Sequence, residues 1–234
     1  MLRLHSQLTA RAFMQRVPSI ELLDQDAGTA AEIEASLRDL ERINAWFGGI
    51  WTTQKMMERV ARSSGTRSLS LLEVAAGSGD VPAAASERLQ RLGIQVKFVL
   101  LDRSSVHLDS RGPAVVGDAL RLPFPDSSFD VVSCGLFAHH MAPDAFVQFV
   151  KEALRVCRTA VLINDLIRHP LHLLLIYAGL PLFRSHITRH DSIASVKQAY
   201  TVEEMRNMLS ESSASRIEIT RHYLFRMGAI AWKS

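Results

Sequence analysis

"SLLEVAAGSGDVPAAASERL", residues 70–89, joins a mostly apolar run to a turn of small residues and then to a helical segment. Two glycines in the turn, Gly77 and Gly79, allow the backbone to come close to a bound molecule. An apolar strand that enters a helix through such a turn is typical of a nucleotide-type site at the helix start. The surrounding residues decide which ligand the turn holds.

Two common readings of a glycine turn fail here. A triphosphate-binding P-loop needs a lysine directly after its last glycine, and Asp80 follows Gly79. The dinucleotide fingerprint needs a small residue three positions after its second glycine, and Pro82 stands there. The turn therefore belongs to another kind of site.

Composition indicates an ordinary globular protein. The chain has 234 residues, enough for one domain with a sizeable core, and is 47% hydrophobic and 22% charged. Basic and acidic residues are interspersed and leave a formal charge of +3, so no nucleic-acid-binding stripe is predicted. We expect a monomer or homodimer and no nucleic-acid partner.

The cysteines and the apolar runs indicate the compartment. Cys134 and Cys157 lack CxxC spacing, which argues against a disulfide framework or a zinc site and fits a reducing cytoplasm. Arg3, His5 and Arg11 interrupt the first apolar stretch, so it does not resemble a signal peptide. No apolar run approaches the roughly 20 residues that span a bilayer, so stable membrane insertion is not expected.

Strand and helix patterns alternate along most of the chain. Helical patterns at residues 31–47 and 51–62 precede five strand-like runs, and a helix with a Thr201–Glu204 capping box precedes two closing strands, "SRIEIT" and "HYLFRMGAIAW". The five runs are 69–75, 96–101, 114–116, 129–134 and 160–163. This predicts an α/β fold: a Rossmann-like, doubly wound, mostly parallel seven-stranded sheet. We expect N-terminal helices over the cleft (1–65) and a main domain (66–234) with a helical cap after the fifth strand (about 166–195).

Acidic residues lie at three successive strand ends. Glu73 precedes the glycine turn, Asp102 ends the second strand and Asp118 follows the third. The carboxyl ends of parallel strands share one edge of the sheet, where ligands bind. A carboxylate at the second strand can accept from both hydroxyls of a ribose, and one at the third suits an adenine amino group.

Three segments carry a family resemblance: "EVAAGSGD" (73–80), "LPFPDSSFDVVSCGLFAHHM" (122–141) and "EALRVCRTAVLINDL" (152–166). Together they resemble the class I S-adenosylmethionine-dependent methyltransferases over about residues 69–165. The usual Lys-Pro-Gly-Gly loop is replaced by "CRTA", which alters that loop and not the fold. The resemblance implies that Gly77 and Gly79 take the methionine part of the cofactor, Asp102 the ribose, and Asp118 with the backbone of Ala119 the adenine. The other expected cofactor residues are Asn44, Glu73, Ala75, Arg103 and Gly135.

Shorter segments indicate subgroups within this family. "RINAWFGGIWTTQKM" (42–56) resembles the quinone-biosynthesis methyltransferases, while "LFAHHM", "LINDLIRHP" and "RHDSIASVKQAYT" resemble the bacterial methyltransferases associated with type III polyketide synthases. "ELLD" (21–24) and Phe225-Arg226 fit the second group. The resemblance implies an O-methyltransferase for a hydrophobic phenolic, resorcinolic or quinol natural product. The alternatives are C-methylation of a quinone-like ring and a non-catalytic cofactor-binding partner protein.

The most apolar segment, "LIRHPLHLLLIYAGLPLFRSH" (166–186), follows the fifth strand. An apolar cap over a cofactor cleft suits a flat, hydrophobic acceptor, and a buried helix pair or transient contact with a membrane surface are the alternatives. Acceptor contacts are expected from Phe137, Asp165, Tyr177 and Phe183, with Leu174 and Ile176 beside an alkyl chain.

Methylation of a phenol benefits from a base, because its pKa lies near 10. His139 and His140 follow the fourth strand, and at most one of the two is expected to face the acceptor. His190, beside Asp191, is the third candidate, with the carboxylate able to orient the imidazole. No spacing of His, Cys and Asp along the chain suggests a catalytic metal.

Overall fold

A seven-stranded sheet forms the centre of the computed structural model, which describes residues 14–25, 27–108 and 111–234. The strands are β1 Ser68–Val74, β2 Gln95–Asp102, β3 Ala114–Val116, β4 Phe129–Gly135, β5 Cys157–Leu166, β6 Arg216–His222 and β7 Arg226–Trp232. Their order is β3-β2-β1-β4-β5-β7-β6. The first five run parallel, and β7 is antiparallel to β5 and β6. The predicted mostly parallel α/β sheet is confirmed.

Helices cover both faces of the sheet because its central strands are apolar on both sides. Their bounds are α1 Ala30–Trp46, α2 Gly49–Ser64, α3 Asp80–Arg91, α4 Pro143–Val156, α5 Pro170–Gly179, α6 His186–Gln198 and α7 Val202–Ser210. One buried cluster contains Phe146 and Phe149 of α4 with Met205 of α7, and the other contains Met57 of α2 and Leu89 of α3. Burial of each such side chain contributes about 1.5–3 kcal/mol to the free energy of folding.

Local signals in the sequence fix several helix ends. The predicted capping box is present: the Thr201 side chain accepts from the Glu204 N–H, and the Glu204 side chain accepts from the Thr201 N–H. Gly48 separates α1 from α2 with a φ of 81°, a left-handed conformation that glycine adopts without strain. The chain can therefore fold back between the two helices.

The segment that was expected to form the cap contains α5 and α6, which lie between β5 and α7. Helix α1 packs against α6, so the N-terminal helices meet the cap. Asn164 at the end of β5 donates hydrogen bonds to Gly49 O and Thr53 Oγ1, both at 2.8 Å, and thereby ties α2 to the sheet. Within the described ranges, no helix is long and apolar enough to cross a membrane.

The two turn glycines offer a matched test of packing. Both have positive φ, 52° at Gly77 and 70° at Gly79. A Cβ on Gly79 would lie 2.6 Å from Leu100 Cδ1 in the core, whereas one on Gly77 would meet nothing within 4 Å. We expect Gly79→Ala to lower the free energy of unfolding by about 1–3 kcal/mol more than Gly77→Ala, measured by urea denaturation. Equal losses would show that Leu100 yields to the extra methyl group.

Candidate active site

The glycine turn forms one wall of a cavity of about 730 Å³. Ala75, like the two glycines, has a left-handed backbone, with a φ of 54°. Ala75 and Gly77 line the cavity, and open space lies where a Gly77 side chain would project. Gly79 instead packs against Leu100 and starts α3. The surroundings of the two glycines therefore differ: open cavity space at Gly77 and core packing at Gly79.

Asp102 lies at the end of β2, buried beside the turn. Its Oδ2 accepts from the Gly77 N–H at 3.0 Å, and its Oδ1 accepts from the Ser104 N–H at 3.0 Å. An ionised carboxylate has about four acceptor positions, so these two bonds leave capacity for hydroxyl donors. The carboxylate is thus fixed in position at the cavity wall.

Asp118, Ala119 and Arg103 line the same cavity near the ends of β2 and β3. Asp118 is exposed, and its Oδ1 accepts from the Leu120 N–H at 2.9 Å. The Arg103 guanidinium donates to the backbone carbonyl of Asp24. Arg103 therefore connects this rim to the N-terminal segment.

Glu73 is buried at the end of β1, beneath Gly135 at the end of β4. Ser133 Oγ donates a hydrogen bond to its Oε2. Burial raises the pKa of Glu73 from 4.5 to about 7; the Ser133 bond opposes this shift and Asp80 adds to it. Glu73 therefore titrates near neutral pH.

His139 and His140 both line the cavity, in a short 3₁₀ helix, Ala138–His140. His139 is buried, with Nδ1 2.6 Å from Asp165 Oδ1 and Nε2 3.5 Å from Glu21 Oε1. Burial opposes its charged form, but Asp165 and Glu21 outweigh burial and raise the pKa of His139 to about 10. As placed here, the imidazole is protonated at neutral pH and has no lone pair for a proton.

His140 is more accessible than its neighbour. Its side chain is 19% exposed, and its Nδ1 lies 2.6 Å from Asp24 Oδ2. The ring centroids of the two histidines are 4.3 Å apart. Both histidines line the cavity from a turn and not from an extended strand, and the expectation that at most one of them faces the acceptor stays a prediction.

Three other predicted residues lie away from the cavity wall. Asp165 is buried behind His139 and bonds its ring and backbone N–H. The His190 side chain, on α6, is half exposed, and its Nδ1 contacts Asp191 at 2.8 Å. Tyr177, on α5, is 47% exposed. The cavity lining includes none of the three.

An N-terminal segment, residues 14–25, brings two acidic residues to the histidines. Glu21 Oε1 accepts from Ser195 Oγ at 2.6 Å and from Gln198 Nε2 at 2.7 Å, which fixes it against α6. Asp24 contacts His140. Glu21 and Asp24 were not predicted as site residues; the motif "ELLD", noted only as a resemblance, was the available signal.

Arg226, at the start of β7, is a buried cation that sequence analysis did not assign to the site. It is 1% exposed and lines the cavity. It donates to Asn164 Oδ1 at 3.2 Å and to Asn44 Oδ1 at 3.5 Å, and both acceptors are neutral amides. Burial lowers the pKa of Arg226 to about 10, although Asp165 and Asp80 act against this shift. In the described part of the chain, no carboxylate forms an ion pair with it.

Asp80 faces the cavity from the first turn of α3. Its Oδ1 accepts from Ser78 Oγ at 3.0 Å, while its buried Oδ2 has no hydrogen-bond partner among the described residues. A buried unsatisfied carboxylate oxygen costs free energy, so a donor from a ligand would stabilise it. Asp80 and Arg226 are thus opposite charges with unused bonding capacity at one cavity.

The cap supplies an apolar wall. Leu175, Ile176 and Phe183 line the cavity, and Phe137 adds an aromatic ring from the loop after β4. Leu174 had been expected beside them, but it is 62% exposed and points away. Adjacent helical positions differ by about 100°, so the inward and outward faces of α5 could not be assigned before the helix was placed.

Comparisons with known proteins match part of the chain to methyltransferases. Residues 72–163 match a family model described as a methyltransferase domain. An uncharacterized methyltransferase, YcgJ of Bacillus subtilis (strain 168), is 31% identical over 93 residues, which are 38% of this chain. The match spans only 36% of the length of that relative.

Two solved structures share the architecture. The plantazolicin methyltransferase BpumL in complex with SAH has a TM-score of 0.69 at 12% identity, covering 91% of this chain and 94% of that one. The citrinin polyketide synthase CMeT domain has a TM-score of 0.57 at 14% identity, covering 79% and 52%. At these identities the likeness establishes the fold.

The shifted pKa of Glu73 predicts how stability depends on pH. The unfolded chain ionises Glu73 near 4.5 while the folded chain keeps it protonated to about 7, so stability falls between these pH values. The loss amounts to about 3 kcal/mol. Glu73→Gln should remove this loss of stability, so the variant should be more stable than the wild type at pH 8. Chemical denaturation at pH 4.5 and pH 8 measures this, with exposed Glu34→Gln as control; parallel pH profiles of wild type and Glu73→Gln would contradict the prediction.

Proposed function

We propose that this chain, which contains a class I S-adenosylmethionine-dependent methyltransferase domain, methylates an oxygen of a hydrophobic phenolic, resorcinolic or quinol natural product. One observation carries the proposal. A single cavity joins the glycine turn and the strand-end carboxylates to the apolar wall of the cap. Its volume of about 730 Å³ lies in the range of small-molecule sites.

S-adenosylmethionine is the methyl donor, and the polar half of the cavity accounts for its parts. We assign Asp102 to the ribose hydroxyls and Asp118 with Ala119 to the adenine, since all three residues line the cavity. We assign the zwitterionic methionine end to Asp80 and Arg226. Its ammonium group would satisfy the unpaired Asp80 Oδ2, and its carboxylate would pair with the buried guanidinium.

The acceptor occupies the other half. Phe137 and the inward side chains of α5 form a hydrophobic surface next to the end of β4. The only polar side chains needed there are those that orient and activate a hydroxyl group, and Glu21, His139 and His140 converge at that place. Holding the oxygen about 3–3.5 Å from the methyl carbon supplies much of the rate.

C-methylation of a quinone-like ring is the alternative. It rests on the resemblance of residues 42–56 to the quinone-biosynthesis methyltransferases, and Asn44 of that segment lines the cavity. NMR of the product made with a carbon-labelled methyl donor separates a methoxyl from a ring methyl group. A chain that binds the donor but methylates no phenol or quinol would instead be a non-catalytic partner protein.

The setting follows the same proposal. Cys134 and Cys157 are buried and unpaired, as a reducing cytoplasm allows. We propose that the protein works there as a monomer or homodimer on a small-molecule aromatic acceptor, with no nucleic-acid partner. The exposed Leu171, Leu174 and Tyr177 of α5 leave room for transient contact with a membrane surface.

The cofactor assignment predicts a binding defect. Asp102→Ala should weaken S-adenosylmethionine binding by about 1–3 kcal/mol, because the ribose hydroxyls lose a charged acceptor. Titration calorimetry measures the change, with exposed Asp144→Ala as control and melting temperatures to check folding. Tighter binding of NAD than of S-adenosylmethionine by the wild type would contradict the assignment.

The cap predicts a dependence on acceptor chain length. Each buried methylene contributes up to about 0.8 kcal/mol, so several added carbons should raise kcat/KM at least tenfold before a plateau. Ile176→Ala or Phe183→Ala should flatten this series without changing cofactor affinity. Leu174→Ala, on the outer face of the same helix, is the control and should follow the wild type. A flat wild-type series would indicate a small, unsubstituted acceptor.

A further inference from the structure

Three potential metal ligands from two distant parts of the chain meet at the end of β4. They are a carboxylate oxygen of Glu21 and one ring nitrogen each of His139 and His140, all within 4.8 Å of one another. His139 Nε2 lies 3.5 Å from Glu21 Oε1, and His140 Nε2 lies 3.8 Å from Glu21 Oε2. Two ligands at about 2.1 Å from a tetrahedral ion are separated by about 3.4 Å, so the spacing already approaches that of a metal site.

Each of the three has an outer partner that orients it. Asp165 contacts His139 Nδ1 and Asp24 contacts His140 Nδ1, both at 2.6 Å. Both rings therefore direct Nε2 toward Glu21. The Glu21 carboxylate is in turn held by Ser195 and Gln198. Carboxylates on the far nitrogen of ligating histidines are the usual support of metal centres.

The burial of His139 Nε2 without a hydrogen bond is a second, independent observation. The side chain is 2% exposed, and within the described residues this buried nitrogen makes no hydrogen bond, since Glu21 Oε1 at 3.5 Å is only within ion-pair distance. Few buried polar atoms are left unpaired in folded proteins, so an unpaired one aimed into a cavity indicates a missing ligand. The nitrogen points to the space that it shares with Glu21 and His140.

We propose that Glu21, His139 and His140 bind one divalent transition-metal ion, with Zn²⁺ the best match to two imidazoles and a carboxylate, and that the ion displaces the proton from His139 Nε2 into water. Two histidines and one glutamate are a known donor set for catalytic zinc, which keeps its fourth position open. All three residues line the cavity, so the open position faces the acceptor half. No motif of closely spaced ligands in the sequence predicts this site, because Glu21 is more than a hundred residues from the histidines.

The ion would activate the acceptor, and this step rests on the proposed methyl transfer. The acceptor hydroxyl oxygen binds at the open position and releases its proton to water, because a bound cation lowers the pKa of an oxygen ligand. The resulting oxyanion attacks the sulfonium methyl carbon. A C–O bond forms as the C–S bond breaks, and the sulfur keeps the electron pair as a neutral thioether. No oxidant or reductant is needed.

Titration calorimetry of the chelator-treated full chain with Zn²⁺ tests the site. We expect about one ion per chain and no binding of Mg²⁺, which prefers oxygen ligands. Glu21→Gln and His140→Ala should each weaken Zn²⁺ binding at least tenfold. His186→Ala, a 59% exposed histidine of α6, should leave it unchanged. His139→Ala strands the buried Asp165, so the two other variants, with metal-free melting temperatures, serve as the test.

Two results of the Zn²⁺ titration would contradict the metal site. If neither Glu21→Gln nor His140→Ala changes Zn²⁺ affinity, or if the wild type binds no Zn²⁺, the cluster is an ion-pair network and the metal proposal is wrong. Methyl transfer that persists in excess chelator would reject the metal step and keep the proposed function. Stoichiometric binding of Zn²⁺ without binding of S-adenosylmethionine would keep the metal site and reject the proposed function.

Discussion

The buried contact between His139 and Asp165 determines how the site is assembled. Asp165 is the penultimate residue of β5, and its carboxylate accepts both the ring and the backbone N–H of His139 after β4. These strands are neighbours, with Gly135 opposite Asn164. Removing one partner of such a pair typically costs 3–5 kcal/mol, because the other charge stays buried. The imidazole is therefore fixed, and its Nε2 faces the cavity edge.

The N-terminal segment, residues 14–25, is placed by that fixed loop. Arg16 donates to the carbonyls of His139 and Met141, both at 2.9 Å. Asp191 of α6 accepts the backbone N–H groups of Leu22 and Leu23. Glu21 lies between these two anchors and beside both histidines. The segment thus lines the cavity, supplies an acidic side chain to it and is anchored to the cap through Asp191.

A second polar network holds the opposite wall. Asn164 donates to α2 and accepts from Arg226, which also bonds to Asn44 of α1. A fully satisfied network would only rigidify the core, but this one leaves a guanidinium with two long bonds to neutral amides. Charge left uncompensated beside a cavity is costly to stability. A ligand with a negatively charged end at this wall would compensate it.

The sequence alone determined the local features of the sheet and its ligand-binding edge. These are the apolar runs, a glycine turn that fits no phosphate-binding loop, and acidic residues at three strand ends. These are local patterns, and parallel strands bring their carboxyl ends to one edge whatever the loops do. Only the tertiary structure decided that His139 pairs with Asp165, that His190 and Tyr177 lie off the cavity wall, and that Glu21, Asp80 and Arg226 line the cavity. Side-chain partners from distant segments, and the inward face of a helix that is apolar all round, depend on packing. No spacing in the chain encodes them.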